Sequence, residues 1–255
     1  MVIEIKAVTA ERPRIKALIY GPPGSGKTTL AATASKHPEM EKVLFADIDK
    51  GLLSVASVGG LGYADINNLG ELEELQAMIA GNAEALNGVQ TLVIDSLSEL
   101  FDNYMREIAQ KAAASDKKRD PDVNEIQDYG HATSRISRVV RWCRELPLHV
   151  IATAHDKVDK RPVDARKKSK HDAEILGVYP KFPAKLGTAI MGTFDFVWYL
   201  AVDSDGTRNM LTQPSGAYQA KTRGQTFAKE LGQIVKEPNI AEIYTLLLNT
   251  EGMKG

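Results

Sequence analysis

The chain has 255 residues, with 32 Lys and Arg against 33 Asp and Glu, a formal net charge of -1 and a pI of about 6.5. That balance excludes an obligate polybasic binder but not a local basic surface, because nucleic-acid binding depends on where the cations sit. A 43% hydrophobic and 25% charged composition is ordinary for a globular chain, and the length fits one large α/β domain or two small ones.

Cys143 is the only cysteine, so no intramolecular disulfide forms, a zinc-thiolate site is disfavoured, and a reduced cytoplasm is the expected compartment. The first twenty residues mix charges without an apolar core, so no signal peptide is expected. The longest apolar stretches, within 148–154 and 194–202, are strand-sized rather than membrane-sized, which predicts a soluble chain with no membrane partner.

In chain order, residues 14–20 (RIKALIY) read as a short buried strand running into GPPGSGKTT and then the Ala-rich LAATASKH, a strand, glycine loop and helix. Further buried strands are expected at 42–47, 90–95 and 148–154, and helices at 69–80, 97–114 and 129–145, where apolar residues recur at three and four. This alternation predicts an α/β fold with a mostly parallel central sheet flanked by helices. Residues 156–183 are charged, prolyl and aperiodic, and read as a long surface loop. Beyond it, 194–202, 209–212 and 218–220 alternate with turn residues and predict antiparallel C-terminal strands, with a closing helix at 239–249. No linker divides the chain, so residues 1–255 read as one domain.

Gly21, Gly26, Lys27 and Thr28 satisfy the P-loop pattern G-x-x-x-x-G-K-[ST]. In it the backbone N–H groups of Gly21, Pro22, Pro23, Gly24, Ser25, Gly26, Lys27, Thr28 and Thr29, the two prolines excepted, surround phosphate oxygens. Lys27 reaches the β and γ phosphates, Thr28 ligates Mg²⁺, and the dipole of the following helix adds to the attraction. Asp95, ending LVID, occupies the place of a second metal-holding acid, or equally an N-cap for the next helix. Hydrolysis also needs a carboxylate to orient water; FADIDKG offers Asp47 and Asp49, with Asp49 preferred, though both also suit a solvated turn before Gly51. His155 ends ATAH at the carboxyl edge of the expected sheet, where it senses the γ-phosphate or is a satisfied loop histidine.

Together YGPPGSGKTT, VLFADIDKG, TLVIDSLSEL and VIATAH resemble the RecA/RadA recombinase core, and within it the phage-encoded RecA-like ATPases linked to single-strand annealing. The resemblance covers roughly residues 14–223. It implies a RecA-like P-loop ATPase domain using ATP and Mg²⁺, with Asp49 as the water-activating acid, shorter than the family's usual Glu, and His155 as the polar sensor. It implies that Lys221 and Arg223 of the AKTRG turn are a basic finger reaching a neighbouring subunit's γ-phosphate, where an exposed basic strand end is the plainer alternative.

In such proteins mobile loops touch single-stranded DNA. Here these fall at about 115–127, with Lys117, Lys118 and Arg119 ahead of QDYG, and at 156–183, with Lys157, Lys160, Arg161, Arg166, Lys167, Lys168 and Lys170. Tyr179 and Phe182 offer stacking faces to bases. Interspersed acids leave a solvated loop open in both cases. The implied partners are single-stranded DNA, further copies of the chain in a ring or filament, and a single-strand-binding protein; the implied place is the cytoplasm, of a bacterial host if phage-encoded. With little sequence outside the core, annealing fits better than full strand exchange. A nucleotide-switched module recruiting replication or repair partners, and a small-molecule kinase with KRPVDARKKSK as its lid, are the competing functions.

Overall fold

The computed structural model describes residues 13–81, 86, 88–162 and 173–250. The strands are β1 (Lys16–Gly21), β2 (Val43–Asp47), β3 (Leu61–Asp65), β4 (Thr91–Asp95), β5 (His149–Pro162), β6 (Ala173–Pro180), β7 (Phe196–Val202), β8 (Arg208–Leu211), β9 (Lys221–Thr222) and β10 (Ile234–Lys236). The helices are α1 (Lys27–Ala32), α2 (Leu69–Ala80), α3 (Leu97–Ser115), α4 (Ile126–Glu145), α5 (Ala184–Thr193), α6 (Gln225–Leu231) and α7 (Ile240–Thr250).

Every residue of β1, β2 and β4 is buried, as strands covered on both faces must be, which is why they read as unbroken apolar runs. Among the described residues the sheet runs β10-β8-β7-β1-β5-β4-β2-β3, and from β7 to β3 every pairing is parallel. The later strands β8, β9 and β10 pair antiparallel, as expected for the C-terminal part.

Alternate side chains divide the core in two. Leu18, Tyr20, Leu92, Ile94, Val150 and Ala152 pack beneath α2, α3, α4 and α5, while Ala17, Ile19, Phe45, Val93 and Ile151 pack against α1, α6 and α7. A buried Lys16 joins β1 to the end of α4, its ammonium donating to the Cys143 and Leu146 carbonyls at 2.8 and 2.7 Å. These are carbonyls that a helix C-terminus leaves without intrahelical partners. Among the described residues no helix is long and apolar enough to cross a membrane.

The stretch read from sequence as a loop over 156–183 is organised differently. β5 pairs with β1 up to Gly21↔His155, then runs on, and its residues from Asp156 to Pro162 pair antiparallel with β6. The outer part of β5 is largely exposed and charged, and β6 has its exposed apolar residues Ile175 and Leu176 side by side before the buried Gly177 and Val178, so neither shows the apolar alternation that marks a strand. After the arm, residues 184–193 form α5. The arm is tied to the core beneath it: the Tyr20 hydroxyl, immediately before the glycine loop, donates to the carbonyls of Val178 in β6 and Gln219.

Candidate nucleotide site

The carboxyl ends of β1, β2, β4 and β5 gather the polar residues singled out in the sequence. Gly21 leaves β1 so close to β7 that a Cβ on it would overlap the Leu200 carbonyl. Pro23 and Gly24 form the exposed crest of the loop, with Pro22 half-buried. Gly26 takes φ 88°, a left-handed conformation costly for other residues, and its carbonyl accepts from Leu30 N at 2.8 Å as α1 begins.

Lys27 curls beneath this loop, its Nζ donating to the Gly21 and Pro22 carbonyls at 3.0 and 2.9 Å. Burial holds its ammonium below the usual lysine range, against the opposing pull of Asp95. The Ser25 hydroxyl is buried with no hydrogen-bond partner, and Thr29 is half-buried in the first turn of α1. A buried cation bonded only to neutral carbonyls and an unsatisfied hydroxyl suit a loop that receives an anion with acceptor oxygens.

Asp95 is buried at the end of β4, two strands from the loop, with β5 between. Thr28 spans the gap, its hydroxyl donating to Asp95 Oδ2 at 2.6 Å, and the buried Thr153 of β5 donates to Oδ1. Burial pushes the Asp95 carboxyl above its ordinary range, more than those two hydrogen bonds lower it. One hydroxyl and one carboxylate meeting at a single point are the hard oxygen donors that Mg²⁺ takes alongside phosphate oxygens, so the residues present fit that ion. The N-cap of α3 is Ser96, whose side chain accepts from Glu99 N, so capping does not occupy Asp95.

Asp49 is fixed to the same strand end. The backbone N–H groups of Ile48 and Asp49 both donate to the Asp95 carbonyl, at 2.7 and 3.0 Å. Ser96 Oγ donates to Asp49 Oδ1 at 2.9 Å, and His155 Nε2 stands 3.7 Å from Oδ2. His155 is held by its backbone N–H, which donates to Ser98 Oγ at 2.9 Å, while its Nδ1 is buried without a partner. Asp49 and His155 share the wall of an open cleft with Asn67, Glu99 and Asn103. Asp47, the other acid of its strand end, is buried, and burial raises its carboxyl.

Lys221 and Arg223 are not brought to this site. β9 pairs with the amino end of β7 (Val197↔Lys221), and roughly 10 Å of strand separates Val197 from Leu200 beside the loop. There Lys221 Nζ donates to the Met191 and Gly192 carbonyls at 2.7 and 3.4 Å, and Arg223 pairs with Asp195 at 2.6 Å.

The residues expected to meet DNA separate into three groups. Lys157, Lys160 and Arg161 are exposed on the arm, where Lys157 pairs with Asp159 and Arg161 with Glu174. Arg166, Lys167, Lys168 and Lys170 lie outside the described residues. Two expectations need correction. Phe182 is buried edge-on against Phe101 with ring centroids 6.2 Å apart, so it offers no stacking face, whereas Tyr179 is half-buried on the arm with its hydroxyl on Asp159. Arg119 is nearly buried and paired with Asp128, which also takes the Glu125 N–H at 2.8 Å in the cap of α4. Burial raises Asp128, but that N–H and Arg119 together carry its carboxyl below the ordinary range. Arg119 therefore clamps the connection from α3 to α4, leaving Lys117 and Lys118 as its exposed cations.

Residue-by-residue reading missed Thr153, Ser98 and Arg208. The first two had a signal, being hydroxyls beside strand ends in ATAH and DSLSEL. Arg208 had none, because only the pairing of β8 with β7 carries it to Gly26.

Comparison with known families agrees with this geometry. Residues 14–224 match the AAA domain family, while no curated protein matches the chain. The match spans the glycine loop, both strand-end acids and the arm, and the chain belongs to the AAA domain family of P-loop NTPases.

Proposed function

We propose that the chain is a RecA-like ATPase that hydrolyses ATP with Mg²⁺ in response to single-stranded DNA, as an ATP-assembled oligomer of one domain serving annealing or recombination. The single observation that carries this reading is the continuity of β5. The strand passes between the loop and Asp95, ends its pairing with β1 at His155 beside Asp49, and continues roughly 20 Å into an arm that exposes Lys157, Lys160 and Arg161 among acids. A load on the arm thus bears on the backbone of His155, whose ring stands 3.7 Å from the catalytic carboxylate, and the Tyr20 bond to Val178 ties the arm to the glycine loop as well.

In this reading Lys27 moves from the loop carbonyls to the β and γ phosphate oxygens, and Thr28 and Asp95 would hold Mg²⁺, which would supply positive charge against that developing on the phosphates. Asp49 orients the attacking water and takes its proton as the oxygen bonds to the γ-phosphorus and ADP departs. Ser96 keeps one of its carboxylate oxygens in place, and His155, standing beside the other, registers the γ-phosphate. Lys221 and Arg223 lie at the far end of the sheet from their own loop, so a γ-phosphate contact from them requires a neighbouring copy. Proteins that bind single strands without base specificity combine exposed cations with aromatic faces, and the arm carries Lys157, Lys160, Arg161 and Tyr179.

The test is a DNA-binding titration of the wild type and of Lys157→Glu combined with Lys160→Glu at several salt concentrations. Removing two phosphate contacts is expected to weaken binding at least tenfold and reduce the log–log salt slope by about 1.4. Single-strand binding by the double variant equal to wild type at every salt concentration would remove the arm from the DNA interface.

A further inference from the structure

The glycine loop has a close neighbour that none of the catalytic roles uses. Arg208, first residue of β8, lays its side chain against Gly26 so tightly that a Cβ there would stand 2.6 Å from Arg208 Nε and 3.3 Å from Cδ. That Nε is buried without a hydrogen-bond partner, although the side chain as a whole is 43% exposed. Its Nη1 stands 3.5 Å from Glu237 Oε2, too far for a strong ion pair, because Oε1 of the same carboxylate already takes the Arg208 backbone N–H at 2.6 Å. Glu237 is itself held in place, with its N–H on the Arg208 carbonyl at 2.8 Å and φ 43°. The guanidinium is thus positioned, under-used and open on one side.

Sheet order says which part of a nucleotide would meet it. Asp95 and Asp49, which mark the terminal phosphate and metal, lie on the β4 and β2 side of the loop strand β1. Arg208 lies on the other side, two strands away, across β7. A nucleotide with its last phosphate toward Asp95 therefore leaves the loop on the Arg208 side with its nucleoside end. We propose that Arg208 is the nucleoside-end contact of the nucleotide site in the same chain, its guanidinium plane stacking on the base, with Glu237 anchoring the Arg208 backbone and Gly26 backing the side chain. This rests on the reading of residues 21–28 as the phosphate site. A planar cation stacks on any base face, so the contact adds affinity without choosing among bases.

The experiment is calorimetric titration of the full chain with ADP and, separately, with inorganic tripolyphosphate, using the wild type, Arg208→Ala and Arg208→Lys. The expected result is an ADP dissociation constant about tenfold higher in Arg208→Ala, a tripolyphosphate constant within twofold of wild type, and little recovery in Arg208→Lys, which has charge but no plane. Unchanged ADP affinity overturns the proposal. So does an equal loss for both probes, which makes Arg208 a phosphate contact or a strut for the loop, or full recovery by Lys. A wild type that binds neither probe overturns the phosphate site itself, and this contact with it, an outcome distinct from variant binding that matches a binding-competent wild type.

Discussion

Asp49 is held by the Ser96 hydroxyl on Oδ1 and by its backbone, which hangs on the Asp95 carbonyl, while His155 stands 3.7 Å from Oδ2. A carboxylate that activates water must be both placed and ionised, and changing it to the amide keeps the shape while removing the proton acceptor. Asp49→Asn is therefore expected to bind nucleotide within about threefold of wild type while ATP turnover falls at least ~100-fold. Steady-state phosphate release together with a nucleotide titration checks this, and undiminished turnover would take the base role from Asp49. Much of this site is legible one residue at a time. The loop pattern is a local spacing, Asp95 and His155 each end an apolar run, and Asp49 lies two residues beyond the run that Asp47 ends. Thr153 and Arg208 gain their meaning only from strands brought together by the fold, which local spacing does not report.

At the scale of elements, apolar runs locate the buried parallel strands and three-four recurrence locates the helices: 69–80 is α2, 97–114 falls one residue short of α3, and 129–145 lies within α4. Elements on the surface escape that reading. β3 is an edge strand with its residues half-buried or exposed, and the outer part of β5 carries charges on both faces, so neither shows a period.

The amino ends of the strands carry a pH dependence of their own. His149, first residue of β5, is buried with Nδ1 accepting the Ile15 N–H at 3.1 Å, and its ring meets Tyr244 edge-on. Burial, aided by the charges of Arg14 and Lys16, takes its pKa from 6.5 down to about 3. Between those values the unfolded chain binds the extra proton, so this contribution is complete above pH 6.5 and is lost as pH falls toward 3. By pH 5 the loss amounts to about 2 kcal/mol. Urea unfolding at pH 7 and pH 5 should show His149→Gln losing less stability on acidification than wild type by that amount; equal losses would mean that His149 does not carry the effect.

At the scale of the whole molecule, one sheet separates two sets of cations. Its carboxyl edge holds the loop, the acids and the root of the arm, while Lys221 and Arg223 sit near its amino edge. If those two serve a neighbour's site, subunits with complementary defects should repair each other. Mixing Lys27→Ala with the Lys221→Ala, Arg223→Ala double variant is expected to restore ATP turnover that neither has alone, because some composite sites then pair an intact loop with an intact finger. Absence of recovery at every mixing ratio, with assembly verified by light scattering, would count against shared sites. The antiparallel strands after residue 200 were legible from their turns, but their position, with β8 over the loop and β9 at the opposite edge, follows from sheet order alone.

The most direct measurement of the central claim is steady-state ATP hydrolysis by the purified chain with Mg²⁺, with and without single-stranded DNA, across a range of salt. Turnover is expected to rise with DNA and to lose that stimulation as salt increases, as a contact between the arm's cations and phosphates would require. Turnover indifferent to single-stranded DNA at low salt, in protein that binds and hydrolyses ATP, would contradict it.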